Sequence, residues 1–541
     1  MTLRTQLIPD VGAKTPVPAL EPLLFELARP GRSGRHVRTT EAAEIPDAGA
    51  KTPVPALEPL LFELARHGRN GRHVRSNETA EIPDEFKRKA PLRLPELTEP
   101  QVVRHYTHLA QLNYSVDTGM YPLGSCTMKY NPKVNDRVAG LFADVHPRQS
   151  YRTTQGVLAL AYELEQMLAK ITGMDFVSLQ PQAGAQSEFT ALLVFKAYHA
   201  KRGEAKQRRR IIVPDSAHGT NPASAAMCGY EVTTVKSDAR GNVDLDALKS
   251  ALGPDVAGFM LTNPNTLGLF EERVREVCDA VHAAGALVYG DGANMNALLG
   301  IARPGDLGFD CVHINVHKTF STPHGAGGPG AGPLCVKAQL RPFLPKPWIV
   351  READGSYHYD TAREDRAPAP QGDSIGTIKQ RLGNFGVLAR AYTYMKTLGE
   401  EGLVETGRDA ILSANYLLAL LRPAYDVAYE RPPMHEFVIS ALKQKRQGAS
   451  ALDISKALLD EGFHSPTVYF PLIVPEAMMI EPTETEPTET LDAFAAAMLR
   501  IAERVKTDPA AVRDAPRNTP LRRLDEVGAA RKPVLRYKAG A

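Results

Sequence analysis

Apolar positions recur along this chain with two alternating periods. Gln155–Ile171 sets Leu158, Tyr162, Leu164 and Leu168 on one face at helical spacing, and Phe189–His199 is a second helical stretch. The short apolar runs Ile211–Val213, Glu231–Val235, Val256–Thr262, Ala286–Tyr289 and Cys311–Val316 read as strands. Leu245–Leu252 and Glu271–Ala284 lie between them as helices. In the second, Val274, Val277, Cys278 and Val281 recur at i, i+3, i+4 and i+7, and Gly285 stands where a helix ends in a left-handed residue. Strands alternating with helices predict an α/β fold with a large, doubly wound, mainly parallel sheet.

The texture changes after about residue 385. Helices Val387–Met395 and Asp409–Leu421 precede a strand near Glu436–Leu442, followed by helices Ala449–Glu461 and Leu491–Lys506. This pattern predicts a smaller α+β C-terminal domain. The expected division is an N-terminal segment 1–92, a large domain 93–385 and a small domain 386–541. The acidic, proline-interrupted repeat EPTET (481–485 and 486–490) reads as a loop entering the last helix.

The N-terminal segment is duplicated. Ile8, Ile45 and Ile82 each open an IPD triplet, so the period is 37 residues, and 8–44 nearly repeats 45–81. Two copies are too few to stack into a solenoid. One copy is read as extra, and function is expected elsewhere.

Charge and cysteines narrow the partners. A net charge of +2 over 541 residues gives no reason to expect nucleic acid or an anionic membrane surface. The basic run Lys206–Arg210 reads as a solvated helix end. Cys126, Cys228, Cys278, Cys311 and Cys335 are scattered without a CxxC pair. This spacing predicts neither a disulfide framework nor a metal site, and fits a reducing cytoplasm. No apolar run approaches the ~20 residues of a membrane span, and no secretory signal is expected.

Three polar residues follow predicted strands: His218, Asp291 and Lys318. In open α/β sheets ligands bind beyond the carboxyl ends of the strands. Singly, each has an ordinary reading: Asp291 as a turn or cap, His218 as a hydrogen-bonded turn residue, Lys318 as a solvated charge. Jointly they suit an aldehyde cofactor that needs an amine, a carboxylate for a ring nitrogen and a flat group to stack on. Gly184, between Ala183 and Ala185, precedes a helix and would let backbone approach a phosphate. The glycine-rich run 325–333 lacks the spacing of a dinucleotide or Walker loop.

Several longer stretches resemble one family. MYPLGSCTMKYNP (120–132), QPQAGAQSE (180–188), SAHGTNPASA (216–225), YGDGANMNA (289–297) and INVHKTFSTPHGAGGPGAGP (314–333) are similar to the glycine-cleavage-system P-protein. So are SIGTIKQRLGNFGVLARAYTYMKTLG (374–399) and MMIEPTETE (478–486). The resemblance spans about residues 45–510, and it is to the catalytic C-terminal half alone, the second (beta) subunit of the divided form.

The resemblance implies an aspartate-aminotransferase-like, pyridoxal-phosphate-dependent fold type I. It implies glycine dehydrogenase (aminomethyl-transferring) activity. Glycine would be decarboxylated and its aminomethyl group passed to the lipoyl arm of the H-protein. An alpha subunit in an alpha2-beta2 tetramer is the implied partner. By the same resemblance Lys318 is the Schiff-base lysine and Asp291 pairs with the pyridine nitrogen. His218 stacks on the ring, with Ala293 on the opposite face, and Ala183, Gly184 and Thr319 lie near the phosphate. Ser125 and Cys126 fall near the site or an interface, without an assigned role. The sequence departs from the family in its N-terminal duplication and in having Ala183 where relatives often carry Ser.

Overall fold

A computed structural model describes residues 58–66, 82–90, 94–146, 148–325, 327–360, 373–379 and 381–536. These belong to one compact unit, Val54–Ala541. The 37-residue duplication lies outside the described residues, except for 58–66.

The chain builds a seven-stranded sheet from β1 (Phe176–Ser178), β2 (Arg210–Pro214), β3 (Glu231–Val235), β4 (Val256–Thr262), β5 (Leu287–Gly292), β6 (Cys311–Ile314) and β7 (Leu334–Val336). The strand order is β1-β7-β6-β5-β4-β2-β3. β3, β2, β4, β5 and β6 run parallel, and β7 is antiparallel to both its neighbours. β1 and β7 were not foreseen, because runs of three residues carry too little alternation to register as strands.

Side-chain alternation divides the sheet between two apolar layers. Ile212, Phe259, Leu261, Val288 and Val312 face one layer, shared with helices α1 (Gln155–Thr172) and, later in the chain, α5 (Val274–Ala283). Ile211, Val213, Met260, Leu287, Tyr289 and Cys311 face the other, against Ala191, Leu192 and Phe195 of α2 (Gly184–Lys201) and Ala225 of α3 (Thr220–Met227). Helix α4 (Leu245–Ala251) is capped by the Asp244 side chain, which accepts from the Asp246 and Ala247 N–H groups. Apolar strands are therefore covered on both faces, as a parallel sheet requires.

Several boundaries differ from the reading of the pattern. The strand drawn as Cys311–Val316 ends at Ile314, and Val316–Thr319 forms a single helical turn, α6. The two helices drawn at 387–395 and 409–421 are one element, α7 (Phe385–Leu421), broken at Gly399 with φ 67° and ψ −171°. Only glycine adopts that backbone geometry readily. The first half of α7 packs Val387, Leu388 and Ala391 into the large core, and the second half packs Ala414, Leu417 and Leu418 into the C-terminal one.

A four-stranded antiparallel sheet follows, in the order β10-β11-β13-β12: β10 (Asp426–Val427), β11 (Phe437–Ser440), β12 (Thr467–Val468) and β13 (Ala477–Ile480). Helices α8 (Ala451–Asp460) and α9 (Thr488–Thr507) cover it through Ile454, Leu458, Phe494 and Met498. α9 begins inside the second EPTET copy rather than near Leu491. A hairpin of β8 (Ile349–Arg351) and β9 (Tyr357–Tyr359) completes the strands.

The loop after β4 meets the small sheet at Gly268. Its φ is +77°, its carbonyl accepts from the Met434 N–H, and a Cβ there would overlap the Glu436 carbonyl oxygen. Gly268→Ala is expected to cost about 3 kcal/mol or more, combining left-handed strain with overpacking. Gly355→Ala, at φ +85° with open space around it, should cost only about 1–2 kcal/mol. Denaturant midpoints of the two variants check the difference.

Candidate active site

The carboxyl ends of three adjacent parallel strands place polar residues side by side. Thr262 of β4 is in register with Asp291 of β5, and Asp291 with His313 of β6. All three share the parity of Tyr289, so they face the α2–α3 side of the sheet. The N-terminus of α2 enters above them. A Cβ on Gly184 would lie 2.6 Å from Asn315 Oδ1 and 2.8 Å from His313 Nε2, so any side chain larger than hydrogen would close this approach.

The result is a cavity of about 230 Å³. Ala183, Gly184, His218, Asp291, Ala293 and Lys318 all line it, as does Ser125. Thr319 does not. It is fully buried beneath the cavity, and its hydroxyl accepts from the Met295 N–H over 3.0 Å. Cys126 lies outside the lining, and burial pushes its thiol above the ordinary range. Lys318, on the turn α6, donates from Nζ to the Ser125 carbonyl at 2.5 Å. A larger cavity, about 730 Å³, lies away from the strand ends beside Ile171, Leu299 and Leu403. Its charged groups, among them Lys170, Arg303 and Glu400, are solvated, so it lacks the desolvated chemistry of the smaller one.

Asp291 is a buried carboxylate with its partners in place. It accepts from Asn221 Nδ2 at 2.9 Å and from the Ala293 N–H at 3.0 Å, and His313 Nε2 lies 3.6 Å away. Burial opposes its charge, but His313, the two hydrogen bonds and Lys318 hold it below the usual carboxylate range. His313 shares a 2.5 Å hydrogen bond with the Tyr289 hydroxyl through Nδ1. The Asn315 side-chain oxygen Oδ1 and the Thr262 hydroxyl are buried in the wall without a protein partner.

Comparison with known proteins decides the family. Residues 76–458 match the family described as glycine cleavage system P-protein, and 406–522 match glycine dehydrogenase, C-terminal domain. The chain belongs to the glycine cleavage system P-protein family. It is 55% identical over 453 residues to the probable glycine dehydrogenase (decarboxylating) subunit 2 of Lysinibacillus sphaericus, covering 83% of this chain and 91% of the relative. The protein of the same description from Desulforamulus reducens is 56% identical over 451 residues, with 83% and 91% covered.

Among solved structures, the glycine decarboxylase (P-protein) of the glycine cleavage system, in inhibitor-bound form, aligns with TM-score 0.64 at 23% identity, covering 78% of this chain and 93% of that one. A glutamate decarboxylase of Lactobacillus brevis aligns with TM-score 0.61 at 12% identity, covering 79% and 97%. The architecture is the fold type I arrangement expected from the resemblance: a large, mostly parallel sheet with a smaller C-terminal α+β part.

In this P-protein chain the site holds more ionisable groups than the pattern singled out. Glu188, on α2, is driven up to about 7 by burial and then by Asp291. Glu436 and Glu481 sit beside Lys318 at the edge of the small sheet. Burial first, and Glu481 next, push Glu436 up to about 8; burial pushes Glu481 up to about 7. Glu436 Oε2 accepts from the Ser125 N–H at 3.1 Å, and Glu481 accepts from Thr127 and Asn294. Ligand atoms of Glu436, Glu481 and His435 lie within 4.8 Å of one another. Burial, with Lys318 and Lys129, depresses His435 to about 3, so its ring stays neutral. Glu188 and Glu481 fall within QPQAGAQSE and MMIEPTETE, but a glutamate in a helix or loop gives no sign that folding will bury it. His435 and Glu436 lie outside the recognised stretches.

Raised folded-state values carry a sign for stability. A carboxyl held at about 8 when folded, against about 4.3 when unfolded, favours folding fully below about pH 4.3 and loses that contribution as pH rises toward 8. Glu436→Gln removes one such group while its amide oxygen still accepts from Ser125. Urea unfolding at pH 5 and pH 8 should show a smaller loss of stability on the alkaline side for this variant than for the wild type.

Proposed function

We propose that the chain is the catalytic second subunit of a divided glycine decarboxylase in the glycine cleavage system, with pyridoxal phosphate held at Lys318. The carboxyl group of glycine leaves as carbon dioxide. The aminomethyl carbon forms a bond to one sulfur of an oxidised lipoyl arm on the H-protein, the S–S bond breaks, and the released sulfur takes a proton. The alpha subunit is the partner in an alpha2-beta2 assembly in the cytoplasm, and no helix among the described residues is long and apolar enough to cross a membrane.

The observation that carries this reading is the opposition of the Lys318 amine and the buried Asp291 carboxylate across one cavity at adjacent strand ends. The donor set fits the cofactor, which supplies an electron sink for the pair left on the glycine carbon as carbon dioxide departs. Lys318 would hold its aldehyde carbon. Asp291 would keep its ring nitrogen protonated, since Asn221 and Ala293 fix the carboxylate in its charged form. His218 and Ala293 would lie against the two ring faces. Ala183 and Gly184, at the N-terminus of α2, offer free N–H groups and a positive helix end to a phosphate. Thr319 would act only by holding Met295 and the turn that carries Lys318.

Glu436, whose Oε2 accepts from Ser125, keeps its proton on Oε1 at neutral pH and lines the cavity. In this reading it would supply the proton that the released sulfur takes.

Lys318→Ala should eliminate the visible absorbance of the loaded chain and all glycine–bicarbonate exchange measured with the alpha subunit and lipoylated H-protein. Asp291→Asn should retain cofactor but lower exchange by about 10²-fold or more, because the ring nitrogen loses its buried anion. Unchanged exchange in either variant refutes the assignment.

A further inference from the structure

His218 reaches a second carboxylate through a single hydroxyl. Its Nδ1 lies 2.8 Å from Thr220 Oγ1, and Thr220 Oγ1 lies 2.7 Å from Glu188 Oε1. Glu188 Oε2 accepts from the Ser224 hydroxyl at 3.0 Å. Glu188 is almost fully buried.

Hydrogen-bond direction along this path is fixed by one backbone group. The Thr220 N–H points at His218 Nδ1 at 3.2 Å, and a backbone N–H only donates. Nδ1 is therefore the bare nitrogen, and neutral His218 carries its proton on Nε2. Beside a bare Nδ1, the Thr220 hydroxyl must donate to the ring, or two lone pairs would face each other at 2.8 Å. Its oxygen then needs a donor from the other side, and the only atom there is Glu188 Oε1. Glu188 must carry a proton on Oε1, which agrees with its raised value of about 7 and leaves Oε2 to accept from Ser224.

We infer that Glu188, Thr220 and His218 form a proton relay: with the tautomer of His218 fixed by the Thr220 N–H, the Glu188 and Thr220 side chains are positioning residues that hold a proton and deliver it to Nδ1. The transfer balances. The Glu188 Oε1–H bond breaks as a new Thr220 O–H forms, the original Thr220 O–H breaks, and Nδ1–H forms. The end state is an imidazolium donating to Thr220, which donates to a Glu188 carboxylate. The Thr220 N–H then loses its acceptor, so the neutral ring is the resting form.

Asp291 and Lys318 also act on His218, the first favouring and the second opposing its charge, while burial opposes it most. Asp291 further raises Glu188, and Lys318 lowers it. Phe470 packs edge-on against the His218 ring and brings no charge. The relay thus gives the ring that rests on the cofactor in the functional reading above a proton from a buried internal donor. It rests on that reading for its purpose, not for its geometry.

The test is ¹⁵N-histidine NMR on the full chain, with and without added pyridoxal phosphate, His218 being assigned by its loss in His218→Gln. Wild type should show a bare Nδ1 and a protonated Nε2 at pH 6.5, where Glu188 still holds its proton and the His218 ring is neutral. Glu188→Gln, whose amide still donates to Thr220, should keep that tautomer but lower the pH at which His218 charges. Thr220→Val keeps the backbone N–H and so the tautomer, but should lower the pH at which His218 charges, as Glu188→Gln does, and cut glycine–bicarbonate exchange about tenfold, with Thr220→Ser restoring both to within about twofold. A protonated Nδ1 in the wild type overturns the relay, as does an identical His218 titration in wild type and Glu188→Gln. A chain that binds no pyridoxal phosphate overturns the functional reading instead, and the histidine spectrum still decides the relay.

Discussion

The site depends on keeping one negative charge in the protein interior. Asp291 is nearly inaccessible at the end of β5, where an unpaired carboxylate would give up its charge. The Asn221 amide and the Ala293 N–H point at its two oxygens, and His313 stands beside it in register on β6. Asn221 comes from α3, whose position against α2 is set by the apolar layer that also covers Tyr289. The packing of one face of the sheet thereby fixes the protonation state of the group at its edge.

Around that anion the remaining carboxyl groups are held in the opposite state. Burial raises Glu188, Glu436 and Glu481, with repulsion from Asp291 adding to Glu188 and repulsion from Glu481 adding to Glu436. Hydrogen bonding divides the outcome. Asp291 receives N–H donors, whereas Glu188 must itself donate to Thr220. The cavity is therefore lined by one fixed anion, one amine and two carboxyl groups, Glu188 and Glu436, raised to about 7 and about 8, an arrangement suited to moving protons beside an electron-withdrawing ring.

The alternation of strands and helices was legible because parallel strands buried on both faces read as continuous apolar runs. Lys318, Asp291 and His218 were legible because they follow such runs at the end where ligands bind. The three-residue strands β1 and β7 carried no pattern. The turn bearing Lys318 was hidden because Val316 extends the apolar run of β6 past the last paired residue. Gly399, interrupting a long helix, reads in sequence as the end of one helix and a gap before the next. The His435, Glu436 and Glu481 group was invisible for a different reason: it is assembled from the residues just before β11 and just after β13, and only the antiparallel pairing of these strands brings them together beside Lys318. Thr319, next to the lysine in sequence, is fully buried, with its hydroxyl accepting from the Met295 N–H.

The most direct measurement is borohydride reduction of the chain loaded with pyridoxal phosphate, which turns a lysine-linked aldehyde into a stable secondary amine, followed by mass spectrometry of its peptides. The account predicts a single modified residue, Lys318. A label on Lys129, a buried lysine that donates to Asn296 and Glu484, or no label at all, would contradict it.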